Sequence, residues 1–462
     1  MSWVRSTGLG AAQSCDVSQL PENTANPSAA PEPMARVAIA SFIGTTIEFF
    51  DFYAYGLAAA LVLNDAFFPQ LDPVAGTLAA FSTQAVAFAS RPLGAVIFGH
   101  FGDRIGRKKI LIISLLLMGL STFGVGVLPG YASIGLTAPI LLVLLRFIQG
   151  IGLGGEWGGA ALLATEHAPA HRRGLYGMFP QLGPAVGFIL ANSSFLIARL
   201  AMSQDSFNSF GWRIPFLLSA VLILIGLYVR VKISETPVFL KIAEQQETAR
   251  VPFVDLITNQ WKQLLLGGGV MMIQYTLFYT ATTYCLSYGT KVLKIAQPTM
   301  LTIVLLAVSM LGVTTAISSP LSDRVGRKKV LLVSAAVAIV FALAVFPLLD
   351  TKNYVLMWVA LGGCLALMGL TYGPMAAFLP ELFATRYRYS GAALAYALGG
   401  VLGGALPPII ATKLQGAFPH ASWTIGVYLA IVAVISLVCT AVLPETRHRM
   451  LTDQPAELAD GA

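Results

Sequence analysis

Between residues 37 and 443 the chain returns repeatedly to apolar runs almost free of charge, each roughly 20 residues long, the length an α-helix needs to cross a bilayer. That feature leaves few folds open. Backbone amides inside lipid must be satisfied internally, and runs of this length do so as helices. The chain is 56% hydrophobic with a mean hydropathy of +0.74, more apolar surface than one soluble core can hide. The fold class is therefore an all-α membrane protein. The expected spans are 37–63, 76–99, 110–129, 138–164, 174–198, 212–231, 262–288, 299–320, 329–348, 354–378, 389–411 and 424–443. A charged stretch at 232–260 divides them six and six.

Charge sets the orientation. Twelve spans return both termini to one side. That side collects 21 of the 29 Lys and Arg residues, the opposite loops collect six, and Arg91 and Arg146 fall inside spans. Basic loops stay in the cytoplasm, so both termini are expected there, in a multi-pass protein of the cell membrane. The expected organisation is a disordered tail (1–35), a six-helix bundle (36–231), a cytoplasmic linker (232–260), a second bundle (261–443) and a short tail (444–462). The tail at 1–35 has no apolar core of a signal peptide, so no cleavage is expected; Met1 and Met34 both stand as starts. The cysteines (Cys15, Cys285, Cys364, Cys439) are far apart and form no metal or disulfide pattern.

The chain repeats itself. "GDRIGRKK" (102–109) returns as "SDRVGRKK" (322–329), each joining the second and third spans of its half. "SETP" (234–237) and "PETR" (444–447) follow the sixth and twelfth spans. Two pseudo-symmetric six-helix halves with a midplane site between them form a transporter plan. Together with "IGTTIEFFDFYAYG" (43–56), "SRPLGAVIFGHFGDRIGRKK" (90–109), "RFIQGIGLGGEWGGAALLATE" (146–166) and "FLPELFATRYRYSGAALAY" (378–396), this resembles the major facilitator superfamily and, within it, the metabolite:proton symporter family. The resemblance implies proton-coupled import of carboxylates such as citrate, 2-oxoglutarate and shikimate, or of zwitterions such as proline and betaine. One departure is Ala397, where many relatives have Gln.

In a rocking transporter, the clusters read as latches between cytoplasmic helix ends. The candidate gate residues are Gly102, Asp103, Arg104, Gly106 and Arg107, then Asp323, Arg324, Gly326 and Arg327. Glu166, paired with Arg172 or Arg173, and Glu381, paired with Arg386 or Arg388, are companions. The glycines would permit tight turns, and exposed ion pairs worth ~0–1 kcal/mol each would suit a latch that must open. The alternative is that the basic residues serve topology alone, which leaves each Asp unexplained.

Five ionisable residues fall inside spans: Glu48, Asp51, Arg91, Arg146 and Glu156. Such residues cost roughly 2.5–3.5 kcal/mol each and by default serve a pathway. Glu48 and Asp51, three apart, share a helix face that Phe52 and Tyr55 continue. If both Arg residues pair with acids, one acid is left over. That spare acid, Glu48 or Asp51, is expected to carry the proton, with Glu156 a further coupling candidate. Arg91, Arg146, Tyr55, Gln181, Tyr275 and Tyr279 are candidates for solute binding; for the polar ones ordinary packing is an equal reading. Glycines spaced by four (150, 154, 158; 399, 403; 400, 404) are read as close-packing faces.

The function expected is proton-coupled symport of a small organic carboxylate or zwitterion by alternating access. The alternatives are a proton-coupled exporter, for which "GPAVG" (183–187) speaks, and a non-transporting nutrient sensor. No cofactor, metal, nucleic-acid partner or enzymatic constellation is expected, and the chain is expected to work as a monomer.

Overall fold

The computed structural model describes residues 34–449 apart from 106, 155, 167, 233–251, 385–386 and 448; side-chain surroundings are further undescribed at 34–37, 40, 99–105, 107–109, 163, 166, 170, 230, 232 and 252–255. The expected N-terminal tail, most of the central linker and the end of the C-terminal tail lie outside the described residues. So do Gly106 and Arg386, and, beyond their helical backbone, Gly102, Asp103, Arg104, Arg107 and Glu166.

Among the described residues, twelve long helical runs follow one another and no strand occurs. α1 is Met34–Leu61, α2 Pro73–Ile105 and α3 Arg107–Val127. α4 is Thr137–Gly154 carried on by Glu156–Glu166. α5 is Arg173–Ala201 and α6 Ile214–Lys232. α7 starts as Pro252–Tyr279 and runs on through π-helical turns at Thr280–Tyr284 and Tyr288–Val292. α8 is Gln297–Val325, α9 Arg327–Asp350 and α10 Tyr354–Tyr372, with a continuation at Met375–Glu381. α11 is Arg388–Gly400, a π-helical turn at Val401–Ala405, then Leu406–Ala417; α12 is Trp423–Val442. Ten of these runs are apolar and long enough by composition alone to cross a membrane.

The packing repeats with the sequence. α1 lies on α5, α2 on α4 and α3 on α6; six helices later α7 lies on α11, α8 on α10 and α9 on α12. Between the halves, α5 meets α8 and α2 meets α11, again related by six. Small residues permit these crossings. A Cβ on Gly150 would strike the Ala87 carbonyl, and one on Gly154 the Arg91 carbonyl, both on α2. In the second half, Gly369 and Gly373 of α10 face the backbone and hydroxyls of α8 at Leu311, Thr315 and Ser319. Gly183 and Gly187, in the stretch that suggested an exporter, seat α5 on Thr45 and Thr46 of α1.

Three differences from expectation have physical causes. α7 begins inside the expected linker, led by Pro252, which needs no backbone donor in the first turn, and bends at Gln260 (φ −130°, ψ 26°). The second Asp-Arg cluster is a corner rather than a loop. α8 runs to Val325, α9 starts at Arg327, and only Gly326 lies between them, at φ +105°. That is the left-handed region glycine alone adopts freely, and a Cβ there would also fall 2.6 Å from Glu445 Oε2. In α11 the π-helical turn comes immediately before Pro407 and Pro408. Proline cannot donate to the carbonyl four residues back, and the Gly403 carbonyl so released accepts instead from the Thr276 hydroxyl of α7 at 3.2 Å.

Candidate translocation site

All five ionisable residues expected inside the membrane are buried: Glu48, Asp51, Arg91, Arg146 and Glu156 are each at most 2% exposed. α1 brings the centre together. The Phe52 ring takes the Arg91 guanidinium of α2 at 4.3 Å and the Arg146 guanidinium of α4 at 4.9 Å. Arg91 also lies 4.4 Å from the Phe88 ring and donates to the Tyr275 hydroxyl of α7 at 3.4 Å, across the seam between the halves. Arg146 lies 3.7 Å over the Tyr55 ring and donates to Gln149, whose amide in turn donates to Thr122 of α3 at 2.8 Å. Tyr55 is bonded to Thr83.

The charge tally raised the case in which both Arg residues pair with acids. Among the described residues, neither Arg91 nor Arg146 has a carboxylate within 4 Å. Both rest on aromatic faces, whose quadrupoles attract cations and attract them more strongly away from water. Asp51 faces Thr122 and Ser219 beside Gly119, inside the first bundle. Glu48 is within electrostatic reach of Asp51 and of Tyr396 on α11.

Beside Arg91, between the halves, is a cavity of about 10 Å³ lined by Phe49, Tyr53, Gln274, Tyr275, Tyr279 and Tyr396, with Met271, Phe278, Met368 and Tyr372 completing it. That volume is about one water molecule. Of the expected solute contacts, Tyr275 and Tyr279 line it. Tyr55 lies behind Phe52, under Arg146. Gln181 is already engaged on both sides: it accepts from Trp157 Nε1 at 3.1 Å and donates to the Tyr372 carbonyl at 2.7 Å. The Trp157 indole stacks on Tyr396, centroids 4.0 Å apart and planes 7° from parallel, so α4 is joined to α11 and α5 to α10 just below the cavity.

Both ends of the seam are closed. At the basic face, the end carrying the Asp-Arg clusters, Asp323 of α8 accepts from the Gly174 and Leu175 amides at the start of α5, each at 2.9 Å. Arg327 holds Glu381, Nε to Oε2 at 2.8 Å and Nη2 to Oε1 at 3.1 Å, with Asp323 Oδ1 3.3 Å from the same Nη2. Arg173 of α5 reaches Glu381 at 3.7 Å and the Arg449 carbonyl at 2.8 Å. Glu445 caps α9 by accepting from the Arg327 and Lys328 amides, and Thr446 donates to Glu381 at 2.6 Å. Arg324 is exposed and outside this network, and among the described residues Glu381 pairs with Arg327 and Arg173. The expectation of weak exposed pairs is corrected here: both side chains of the Arg327–Glu381 pair are at most 1% exposed, so removing one partner strands a buried charge. Burial pushes the Glu381 carboxyl above the usual carboxylate range, and Arg327, Thr446 and Arg173 pull against that push without cancelling it. At the far face, Lys291 of α7 donates to Thr77 of α2 at 2.9 Å and Asn192 of α5 to the Leu301 carbonyl of α8 at 2.8 Å.

Sequence reasoning missed the aromatic lining contributed by Phe49, Tyr53, Phe278 and Tyr372. One signal was available: aromatics at i and i+4 on α1 (Phe49, Tyr53) and again on α7 (Tyr275, Tyr279), a spacing that faces one side of a helix.

Two bundles related by a six-helix repeat, closing at either end over a polar and aromatic centre, define a secondary transporter of the alternating-access kind. Residues 41–408 match the profile of the Major Facilitator Superfamily. The chain is 47% identical over 421 residues to the inner membrane metabolite transport protein YhjE of Escherichia coli (strain K12), covering 90% of this chain and 95% of that protein. It is 36% identical to the shikimate transporter (90% and 95% covered) and 32% identical to the proline/betaine transporter (90% and 85%) of the same strain. The xylose transporter XylE of E. coli, in a partially occluded inward open structure, superposes with a TM-score of 0.73 at 18% identity, covering 90% of this chain and 99% of that one. The chain belongs to the Major Facilitator Superfamily, in its metabolite:proton symporter family. It is a multi-pass inner membrane metabolite transporter and not an enzyme.

Proposed function

We propose that this transporter imports a small organic carboxylate together with a proton, with its basic face in the cytoplasm and its far face outside. The observation that carries the reading is the pair of buried guanidiniums on one phenylalanine ring, neither with a carboxylate in ion-pair range among the described residues. A buried cation carries a desolvation penalty of several kcal/mol, and ring contacts return about 2 kcal/mol. An anionic solute offsets the remainder. Arg91 is the contact at the cavity, because it reaches the cavity wall at Tyr275. Asp51, next to Thr122 and Ser219 with no cation in ion-pair range among the described residues, is the acid assigned to the coupled proton. A monoanion entering with one proton moves no net charge, so the pH gradient drives it: one pH unit supplies about 1.4 kcal/mol, roughly tenfold accumulation.

Purified protein in proteoliposomes, with an imposed proton gradient, tests this with radiolabelled shikimate, 2-oxoglutarate, citrate, proline and glycine betaine. At least one organic acid is expected to accumulate in wild type and to fail in Arg91→Gln. Asp51→Asn is expected to exchange solute across the membrane without gradient-driven accumulation. Uptake of the zwitterions alone defeats the carboxylate assignment; full coupling in Asp51→Asn defeats the proton assignment, and its loss in Glu48→Gln instead moves the proton to Glu48. Gradient-driven efflux instead of uptake makes the protein an exporter.

A further inference from the structure

Between the central arginines and the far face, the seam of α1, α2 and α7 holds polar groups with no task in the reading above. Gln84 of α2 is 2% exposed, and neither atom of its amide has a hydrogen-bond partner among the described residues. It faces Gly56 of α1 and Thr283 of α7: a Cβ on Gly56 would lie 3.3 Å from Gln84 Nε2 and 3.1 Å from Thr283 Oγ1. Thr280, in the same π-helical turn as Thr283, is 1% exposed and its hydroxyl is also unpartnered. Inward from this group, Thr83 holds the Tyr55 hydroxyl under Arg146, whose Nε and Nη2 lack partners. Outward, Thr77 accepts from Lys291, a cation partly offset by nearby Asp65.

An idle buried amide is costly, at about 1–3 kcal/mol per unsatisfied group, and a leucine of similar size would carry none of that cost. Groups of this kind call for an account in another state or with another occupant. Here the geometry supplies one. Gln84 and Thr283 belong to opposite halves, so they meet water and solute only when α2 and α7 part at the far face. A carboxamide and two hydroxyls offer donors to an anion without binding it as an ion pair. They stand between Lys291 and Arg146, on the way to Arg91.

We propose that Gln84, Thr280 and Thr283 form an outer docking station that holds the anionic head of an entering solute before it passes to Arg146 and Arg91. The station rests on the anion-import reading and deepens it. Because the halves close over it, solute must leave the station as the far face shuts.

The test uses the full chain with Cys15, Cys285, Cys364 and Cys439 replaced by alanine, carrying Gln84→Cys or Thr283→Cys, in cells labelled from outside. The probes are a methanethiosulfonate with a sulfonate head, standing in for a carboxylate, and one with a trimethylammonium head. Each rate is divided by that reagent's rate with 2-mercaptoethanol. The expected result is at least a tenfold normalised preference for the anionic reagent at both positions, reduced when Arg146→Gln is added. Equal rates, or a preference for the cationic reagent, overturn the station. So does silence at both positions when Thr77→Cys, at the mouth, reacts. Uptake in Arg91→Gln is read separately: its persistence at the wild-type rate removes the carboxylate reading while leaving the labelling result to stand by itself.

Discussion

Replacing Asp323 by Asn should unlatch the basic face. The carboxylate accepts two backbone donors at 2.9 Å from the first turn of α5, where the unpaired amides of a helix start carry partial positive charge. The side chain is only 7% exposed, so water does little screening. Hydrogen bonds to a charged acceptor contribute about 1.5–3 kcal/mol each. Asn retains one acceptor oxygen and turns its own donors toward an amide, so one such bond is lost, along with a charge–dipole contribution of about 0.3–1 kcal/mol. The total, about 2–4 kcal/mol, changes the ratio of closed to open basic face roughly 30- to 1,000-fold. A transporter must keep its states within a few kcal/mol of one another, so a shift of that size brings the open form to a visible fraction. Spin labels at exposed Arg172 and Arg324, read by pulsed electron–electron resonance in a cysteine-free background, should show a new long-distance population in Asp323→Asn and much less of one in Asp323→Glu. A short-distance population that changes less than twofold in Asp323→Asn refutes the assignment of the latch to these two bonds.

Further outcomes follow from the same geometry. Burial holds the Glu381 carboxyl above its unfolded-state value, so its ionisation weighs against the fold above that raised value, and the penalty fades as pH falls toward the ordinary carboxylate range; the melting temperature of wild type relative to Glu381→Gln should therefore improve from pH 8 to pH 5, and a flat difference contradicts it. Trp157→Phe keeps a ring on Tyr396 but leaves the buried Gln181 carbonyl oxygen without its donor, which should cost about 1–3 kcal/mol and register as a lowered melting temperature in detergent. Gly154→Leu forces a side chain into the Arg91 carbonyl and should abolish the monodisperse peak in size-exclusion chromatography, since overpacking of a rigid contact costs about 1–3 kcal/mol or more; a normal peak would show that α2 and α4 can separate there.

The spans, the repeat and the buried charges were legible because each is a local signal. Apolar length marks a crossing, Asp-Arg-x-Gly-Arg marks a tight connection between two of them, and an ionisable residue in an apolar run marks itself by its cost. Partner choice was not legible. Arg146 rests on Tyr55 and Phe52, and Glu381 takes Arg327, 54 positions away. Periodicity says which face of a helix a residue occupies, but not the rotation and height at which that helix meets the next. The docking of Glu445, Thr446 and Arg449 under α9 and α10 was hidden for the same reason: Glu445 and Thr446 look like an ordinary polar end until Gly326 turns α9 toward them.

The three π-helical turns among the described residues all lie in α7 and α11, whereas their counterparts six helices earlier in the repeat, α1 and α5, run unbroken. Each such turn loosens the regular ladder and spares a carbonyl that a neighbour must pick up, so these two rods can lengthen or twist locally at small expense. The twin halves are thus mechanically unequal. One behaves as a stiff anvil, while the other contains built-in joints between the cavity and the far face, and amide hydrogens at 280–292 and 401–405 should exchange with solvent well before those of α1 and α5.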